Sequence, residues 1–303
     1  MRILTVSEYM KQKYGQKVYR LSLSSGCTCP NRDGTLGWGG CAFCSAGGSG
    51  DFATEPVSVE RQIAEAKKRV DSKFPRSVSP EERKYIAYFQ SYTNTYGKTD
   101  RLRRIFTEAA ERPEIVTLSV GTRPDCLEQD KVQMLAELNH IKPVWVELGL
   151  QTIHEQTAEA FHRGYRLPVF LDAYRRLKQA GLEVIVHVIL GLPGEGREDM
   201  LETVRFLAGL NPRLDGIKLQ LLHILKETEY GSIFEKDPSA FQTSGFTLES
   251  YCDLVVACLK LLPPETVIHR LTGDGPKNLL LAPKWSADKK KVLNELNRRI
   301  REA

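Results

Sequence analysis

The stretch CTCPNRDGTLGWGGCAFC, residues 27–44, places Cys29, Cys41 and Cys44 in a C-x11-C-x2-C spacing and runs directly into the glycine-rich SAGGSGDF of residues 45–52. Thiolates are the soft ligands that iron-sulfur clusters take, and glycines let a backbone close tightly around one. A four-iron cluster held by three cysteines keeps one iron open. An open position is what separates a metal centre that performs chemistry from one that holds a fold, as catalytic zinc differs from structural zinc. The ligand expected at that iron is S-adenosylmethionine, with the radical chemistry belonging to the cofactor and not to side chains. Cys27 keeps a second reading open, because C-x-C followed by C-x2-C offers four thiolates, enough for a closed tetrahedral zinc site. Spacing alone does not choose between the two.

The chain has seven cysteines, an odd number, and its opening MRILTVSEYMKQKYGQK lacks the apolar core of a secretory signal. Disulfides are therefore disfavoured, and reduced thiols in the cytoplasm are expected. Cys126, Cys252 and Cys258 read as small buried hydrophobes. The 303 residues suffice for a full core, and apolar runs such as VWVELGL and VIVHVILGLP fall well short of the roughly 20 residues of a spanning helix, so no membrane partner is expected. A formal charge of +5 permits a polyanionic partner without requiring one. Basic residues gather in KWSADKKKVLNELNRRIREA at the end of the chain and at Arg101, Arg103 and Arg104 in KTDRLRRIF. Such clusters read equally as solvated helix faces or as an RNA-facing rim.

Outward from the cysteine stretch, β-rich runs alternate with amphipathic ones. VYRLSLS, YIAYFQS, IVTLSV, VWVELGL, EVIVHVILG, GIKLQLL and VIHRLTG read as strands. VSVERQIAEAKKRV, DKVQMLAELNHI, PVFLDAYRRLKQAG, REDMLETVRFLAGL and LESYCDLVVACLKLL have apolar spacings near three and four and read as helices. Strand and helix alternating this often predict an α/β fold with a parallel sheet, and nearly continuous apolar strands predict burial on both faces. No G-x-G-x-x-G follows the first strand, while polar oddities collect at strand ends, which favours a partial barrel over a dinucleotide-binding sheet. The expected organisation is a partial (β/α)6-type TIM barrel over residues 1–275, with the cluster loop at 26–50, followed by a basic helical extension at 276–303. Pro168 and Gly181 punctuate one helix, and residues 227–247 read as a long loop or short helices beside the active face.

In such a barrel the strand tips meet at one mouth, and they carry suitable groups. Gln90, Tyr92, Asn94 and Thr95 follow one strand, Thr122, Arg123 and Asp125 the next, and Gln151 and Thr152 another. Glu147 inside VWVELGL is unusual, because an unpartnered carboxylate on a strand buried on both faces is costly; a cofactor contact and a buried ion pair are the two readings. Arg163 in FHRG has the geometry to hold a carboxylate bidentately, or simply answers a helix dipole. GLPGE, residues 191–195 and including Leu192, is either a backbone approach to adenine or a tight turn. His223, Arg270 and Asp274 come from later tips.

Together, GCTCPNRDGTLGWGGCAFC, YFQSYTNTYG, GTRPDCL, VELGLQT, FHRGY, HVILGLPGE, LLHILKETE and HRLTGDGP resemble the YtqA/YhcC family of radical S-adenosylmethionine proteins, the MnmL-like group, from Tyr14 to about Trp285. A looser resemblance reaches the radical domain of the Elongator catalytic subunit. The resemblance implies a radical SAM core in which Cys29, Cys41 and Cys44 ligate a [4Fe-4S] cluster and Cys27 does not. It implies that S-adenosylmethionine is reductively cleaved to a 5′-deoxyadenosyl radical. Gln151 and Arg163 have the spacing by which relatives such as oxygen-independent coproporphyrinogen oxidase hold the methionine part, and Gln90, Thr122, Glu147 and Leu192 complete the cofactor set. Gly121 stands where those relatives often place a ribose-binding glutamate, which leaves Glu147 or Thr122 for that contact. The implied substrate is tRNA, with the carboxymethylaminomethyl group at C5 of the wobble uridine converted to aminomethyl, and His223, Arg270 and Asp274 as substrate contacts. A reductant such as flavodoxin or ferredoxin is implied, and a methyltransferase could act on the product. The residues alone also admit a radical enzyme for a small metabolite, or a four-cysteine zinc module that binds RNA or protein.

Overall fold

The computed structural model describes residues 1–48, 53–241, 246–273 and 275–303. Along the chain the elements are β1 (Leu4–Thr5), α1 (Val6–Tyr14), β2 (Tyr19–Leu23), α2 (Val59–Val70), β3 (Tyr85–Phe89), α3 (Thr99–Ala110), β4 (Ile115–Thr122), α4 (Gln129–Asn139) and β5 (Val144–Gln151). Then follow α5 (Glu155–Ala160), α6 (Leu167–Gln179), β6 (Glu183–Leu190), α7 (Arg197–Ala208), β7 (Gly216–Leu221), β8 (Ile224–Leu225), α8 (Glu229–Lys236), α9 (Leu248–Leu261), β9 (Val267–Arg270), β10 (Leu280–Ala282) and α10 (Lys289–Glu302). All seven apolar runs become strands, and each is parallel to its neighbours in the order β1-β9-β7-β6-β5-β4-β3-β2. No helix of the described residues is long and apolar enough to cross a membrane.

Helices covering the outer face explain the composition of the strands. All five residues of β3 are buried, and Ala87, Val120, Val146, Val186 and Leu219 face the helices in one continuous core. The other face curls around a lumen. Arg20 on the edge strand β2 reaches across to His269 on β9, Nη2 to Nδ1 at 2.8 Å, so the sheet bends far enough to bring its two sides together. This is a half-barrel, as the strand pattern predicts.

Three features are not evident in the sequence. Helix α1 starts at a capping box between Thr5 and Glu8 and closes the bottom of the lumen, where Met10 packs with Ile86, Trp145 and Ile185. Strand β1 docks that helix by pairing Leu4 with Val267. At the opposite end β8 and β10 form a small antiparallel pair, Leu280 opposite Leu225, that braces the mouth. The expected basic extension is also more than an appendage. Val292, Leu296 and Ile300 of α10 join the main core, and the loop before it contributes β10. Residues 227–247 hold α8, and Gly181, at φ 74°, ends the segment that Pro168 begins in α6.

Candidate functional site

The mouth of the lumen opens into a cavity of about 230 Å³, far beyond the roughly 10–15 Å³ that one water needs. Cys29, Cys41 and Cys44 all line it. Burial pushes the Cys41 thiol up to about 12, and the neighbouring Cys44 and Cys29 sulfurs push the same way, as expected for thiols that face one cavity. The Asn31 side-chain amide donates to Cys41 Sγ at 3.5 Å. Arg32 reaches from inside the loop to the Cys44 carbonyl at 3.1 Å while its guanidinium lies 5.5 Å over the Tyr92 ring. The loop is pinned from outside as well: Thr93 N donates to Thr28 O, Tyr92 Oη to Ala46 O, Ala42 N to Phe161 O, and Tyr230 N to Ala42 O. Gly48 cannot be replaced without conflict, since its φ is +62° and a Cβ would fall 2.2 Å from the Tyr92 ring.

Cys27 faces elsewhere. Its Sγ accepts from Arg101 Nη1 at 3.7 Å, and a Cβ on Gly97 would lie 3.2 Å from it. The fourth thiolate of a zinc site is therefore absent from the lining of the cavity that the other three share.

Beneath the cysteines, Gly121 and Gly149 face the lumen on adjacent strands, each two residues beyond an inward side chain, Ser119 and Glu147. A Cβ at Gly149 would meet Gln151 Nε2 at 3.0 Å and one at Gly121 would meet the Phe89 carbonyl at 3.3 Å, so added side chains would crowd the slot on both strands. Gln151 lines this slot in a left-handed conformation, φ 70°, with Oε1 buried and unpartnered. A buried acceptor without a donor is costly in an empty site and natural in one that receives an amino group. The three thiols, the glycine slot and this orphaned oxygen fit a cluster at the mouth with its ligand beside it. Cys29, Cys41 and Cys44 would hold the cluster, and Gln151 the ligand's polar end.

The lumen floor carries a charge network whose partners come from six strands. Glu147 is buried; it accepts from Ser119 Oγ at 2.8 Å, from His187 Nε2 at 2.8 Å and from the Lys218 ammonium. Lys218 also donates to Tyr88 Oη at 2.9 Å and sits 4.5 Å over that ring. Arg20 lies 3.9 Å from Glu147. Despite its burial Glu147 is held well below the usual carboxylate range by Lys218 and His187. Burial pushes Lys218 down, and Arg20 and Arg270 add to that against Glu147.

Burial and Lys218 lower His187 from 6.5 to about 4, more than its bond to Glu147 restores. A histidine depressed in the folded state stabilises the fold fully above its unfolded value and loses that contribution as pH falls toward the folded one. Stability should therefore decline between pH 6.5 and about 4, by roughly 3 kcal/mol from this group. Thermal melts of wild type and His187→Gln across that window should diverge, with the variant flatter; parallel curves would remove His187 as the source.

Several other expectations change. Glu147 belongs to this ion network, so the buried-pair reading describes it and its oxygens are already engaged. Arg163 does not face the cavity: Nε donates to Tyr165 O at 2.8 Å, Nη1 to Thr152 O at 2.7 Å, and Nη2 binds Glu155 at 2.9 Å. Leu192 is fully buried among Ala42, Phe161 and Leu222, leaving at most its backbone for a ligand. Thr122 lines the cavity with its hydroxyl against Thr95 Oγ1, and Gln90 lines it while accepting from Ser22 Oγ at 3.3 Å. Asn94 is structural, bridging Ser25, Phe89 O and Gly121 O. His223 and Arg270 line the cavity, whereas Asp274 lies outside the described residues. Lys218, His187 and Tyr88 complete the network, and a lysine and a histidine inside apolar strands are its signal in the sequence.

A half-barrel of parallel strands with three cysteines gathered over a glycine-lined mouth defines a radical S-adenosylmethionine enzyme. The chain belongs to the Radical SAM superfamily, whose model matches residues 27–207, followed by the Radical_SAM C-terminal domain at 214–302. It is 40% identical to uncharacterized protein YtqA of Bacillus subtilis over 99% of this chain and 89% of that protein. It is 37% identical to protein YhcC of Escherichia coli K12 over 97% and 90%. Elongator complex protein 3 of Schizosaccharomyces pombe is 27% identical over 58% of this chain and 31% of that one. Among solved structures, archaeal Elp3 of Methanocaldococcus infernus superposes with a TM-score of 0.66 at 15% identity, covering 93% of this chain and 63% of that one. Escherichia coli coproporphyrinogen III oxidase superposes at 0.54 and 13%, covering 84% and 56%. The chain thus spans less than two thirds of each of these two structures, and the likeness is one of fold. The family's cofactors are a [4Fe-4S] cluster and S-adenosylmethionine, which together supply radical chemistry on unactivated bonds.

Proposed function

We propose that this enzyme acts on tRNA, converting the carboxymethylaminomethyl group at C5 of the wobble uridine to aminomethyl. The observation that carries the reading is one cavity holding both the cluster cysteines and a polar, cation-rich floor. A radical suits the task, because the bond to a carboxymethyl carbon offers no good leaving group to acid-base chemistry. The wobble base lies in a single-stranded loop and can be splayed into a mouth without opening a duplex. The motif resemblance to the YtqA/YhcC family and the fold shared with Elp3 support the same substrate. His223 and Arg270 are the proposed substrate contacts.

The test is to incubate the reconstituted enzyme with S-adenosylmethionine, dithionite and tRNA bearing that group, then digest and weigh the nucleosides. Aminomethyluridine formed together with 5′-deoxyadenosine supports the reading. Cofactor turnover that is unchanged when the tRNA is digested away favours a small metabolite instead.

The rim is narrower than the sequence implies. Arg298 pairs with Glu295 and Glu302, Arg299 with Glu295 and Asp253, Arg103 with Glu137, and Arg101 donates to Ser25 O. Arg104, Lys290 and Lys291 remain exposed. Replacing Lys290 and Lys291 together by Gln is expected to weaken tRNA binding a few-fold and to flatten its salt dependence by up to about two phosphate contacts. Unchanged affinity across a salt series would take α10 out of the interface.

A further inference from the structure

We infer that the far end of the lumen, between Arg270 and Lys218, is a receptor for a carboxylate carried by the substrate. The inference rests on the same cavity being the substrate site and names the chemistry it recognises. Three basic residues, Arg20, Lys218 and Arg270, surround this floor with one carboxylate, Glu147, and the two histidines beside them are held neutral. A floor with more basic groups than carboxylates is costly until an anion fills it.

The arginines around the cavity differ in how they are matched. Arg123 binds Asp125 through two bonds of 2.9 and 2.7 Å, and Arg32 donates to the Cys44 and Ser45 carbonyls. Arg270 has one 3.3 Å bond, to the neutral Gln220 Oε1, and no carboxylate partner among the described residues. Its planar fork suits a carboxylate, and Lys218, with bonds to Tyr88 and Glu147, keeps a third ammonium hydrogen. Position separates this end from the cofactor slot. Gly121 and Gly149 lie on β4 and β5, while Arg270 is on β9, three strands beyond β5 in the sheet order. Both ends line one cavity, so a substrate at Arg270 would lie in the same space as a ligand in the slot.

The experiment measures equilibrium binding to reconstituted wild type and Arg270→Gln. The probes are tRNA bearing carboxymethylaminomethyluridine, the same tRNA bearing aminomethyluridine, and free N-methylglycine. Melting temperature and iron content confirm that the variant is folded and loaded. Wild type should bind the carboxylate form at least about tenfold more tightly than the aminomethyl form, and Arg270→Gln should lose that preference. If neither tRNA binds but N-methylglycine binds wild type and not the variant, the receptor stands and the tRNA reading falls. If both tRNAs bind wild type equally, or the preference survives in the variant, the receptor is overturned while the tRNA reading stands. If no probe binds, both are overturned.

Discussion

Alanine at Cys29, Cys41 or Cys44 should reduce reconstituted iron from about four per chain to nearly none, whereas Cys27→Ala should keep its iron. The three cysteines share one cavity, so removing one leaves two thiolates and two open irons, too few to retain the cluster. Cys27 faces Arg101 on the other side of the loop, and its loss should cost only the packing of a small buried side chain, about 1 kcal/mol. Iron analysis and visible absorbance read the difference directly. Equal iron loss in all four variants would return the four-thiolate site to consideration.

The second large effect concerns stability. Lys218→Met removes the nearest cation from a buried Glu147 and leaves, among the described residues, only Arg20 at 3.9 Å, and breaking one partner of a buried pair costs on the order of 3–5 kcal/mol. For a chain of this size that corresponds to a fall in Tm on the order of 10 °C. Replacing both, Glu147→Leu with Lys218→Met, should recover much of the loss, because the carboxylate no longer has to be buried alone. If the double variant melts as low as the sum of the singles, the two residues are not coupled and the network is mere proximity.

Much of this architecture is legible in the sequence because burial on both sheet faces writes itself as continuous apolar runs, as in YIAYF and EVIVHVIL. The cysteine spacing likewise exposes the cluster loop. What sequence cannot give is which strand residues share a level of the lumen. Glu147 stands out alone in VWVELGL, but Lys218 is 71 positions away and Arg20 belongs to another edge of the sheet, so only the register joins them. Arg163 fails for a related reason. Spacing fits a carboxylate ligand, yet the turn that follows α5 folds the guanidinium back onto Leu150, Thr152 and Glu155. Helix α1 escapes notice because a single methionine carries its buried face, and β8 and β10 because two or three residues leave no period to detect.

The plug made by Met10, Ile86, Trp145 and Ile185 has a kinetic corollary. With the bottom of the lumen closed by this packing, the described residues leave the mouth above the cysteines as the way into the cavity. On the proposed tRNA reading, a macromolecule seated over that mouth would cover whatever lies beneath, so the small cofactor would have to bind before it and leave after it. High concentrations of the large substrate should then slow the exchange of the small one.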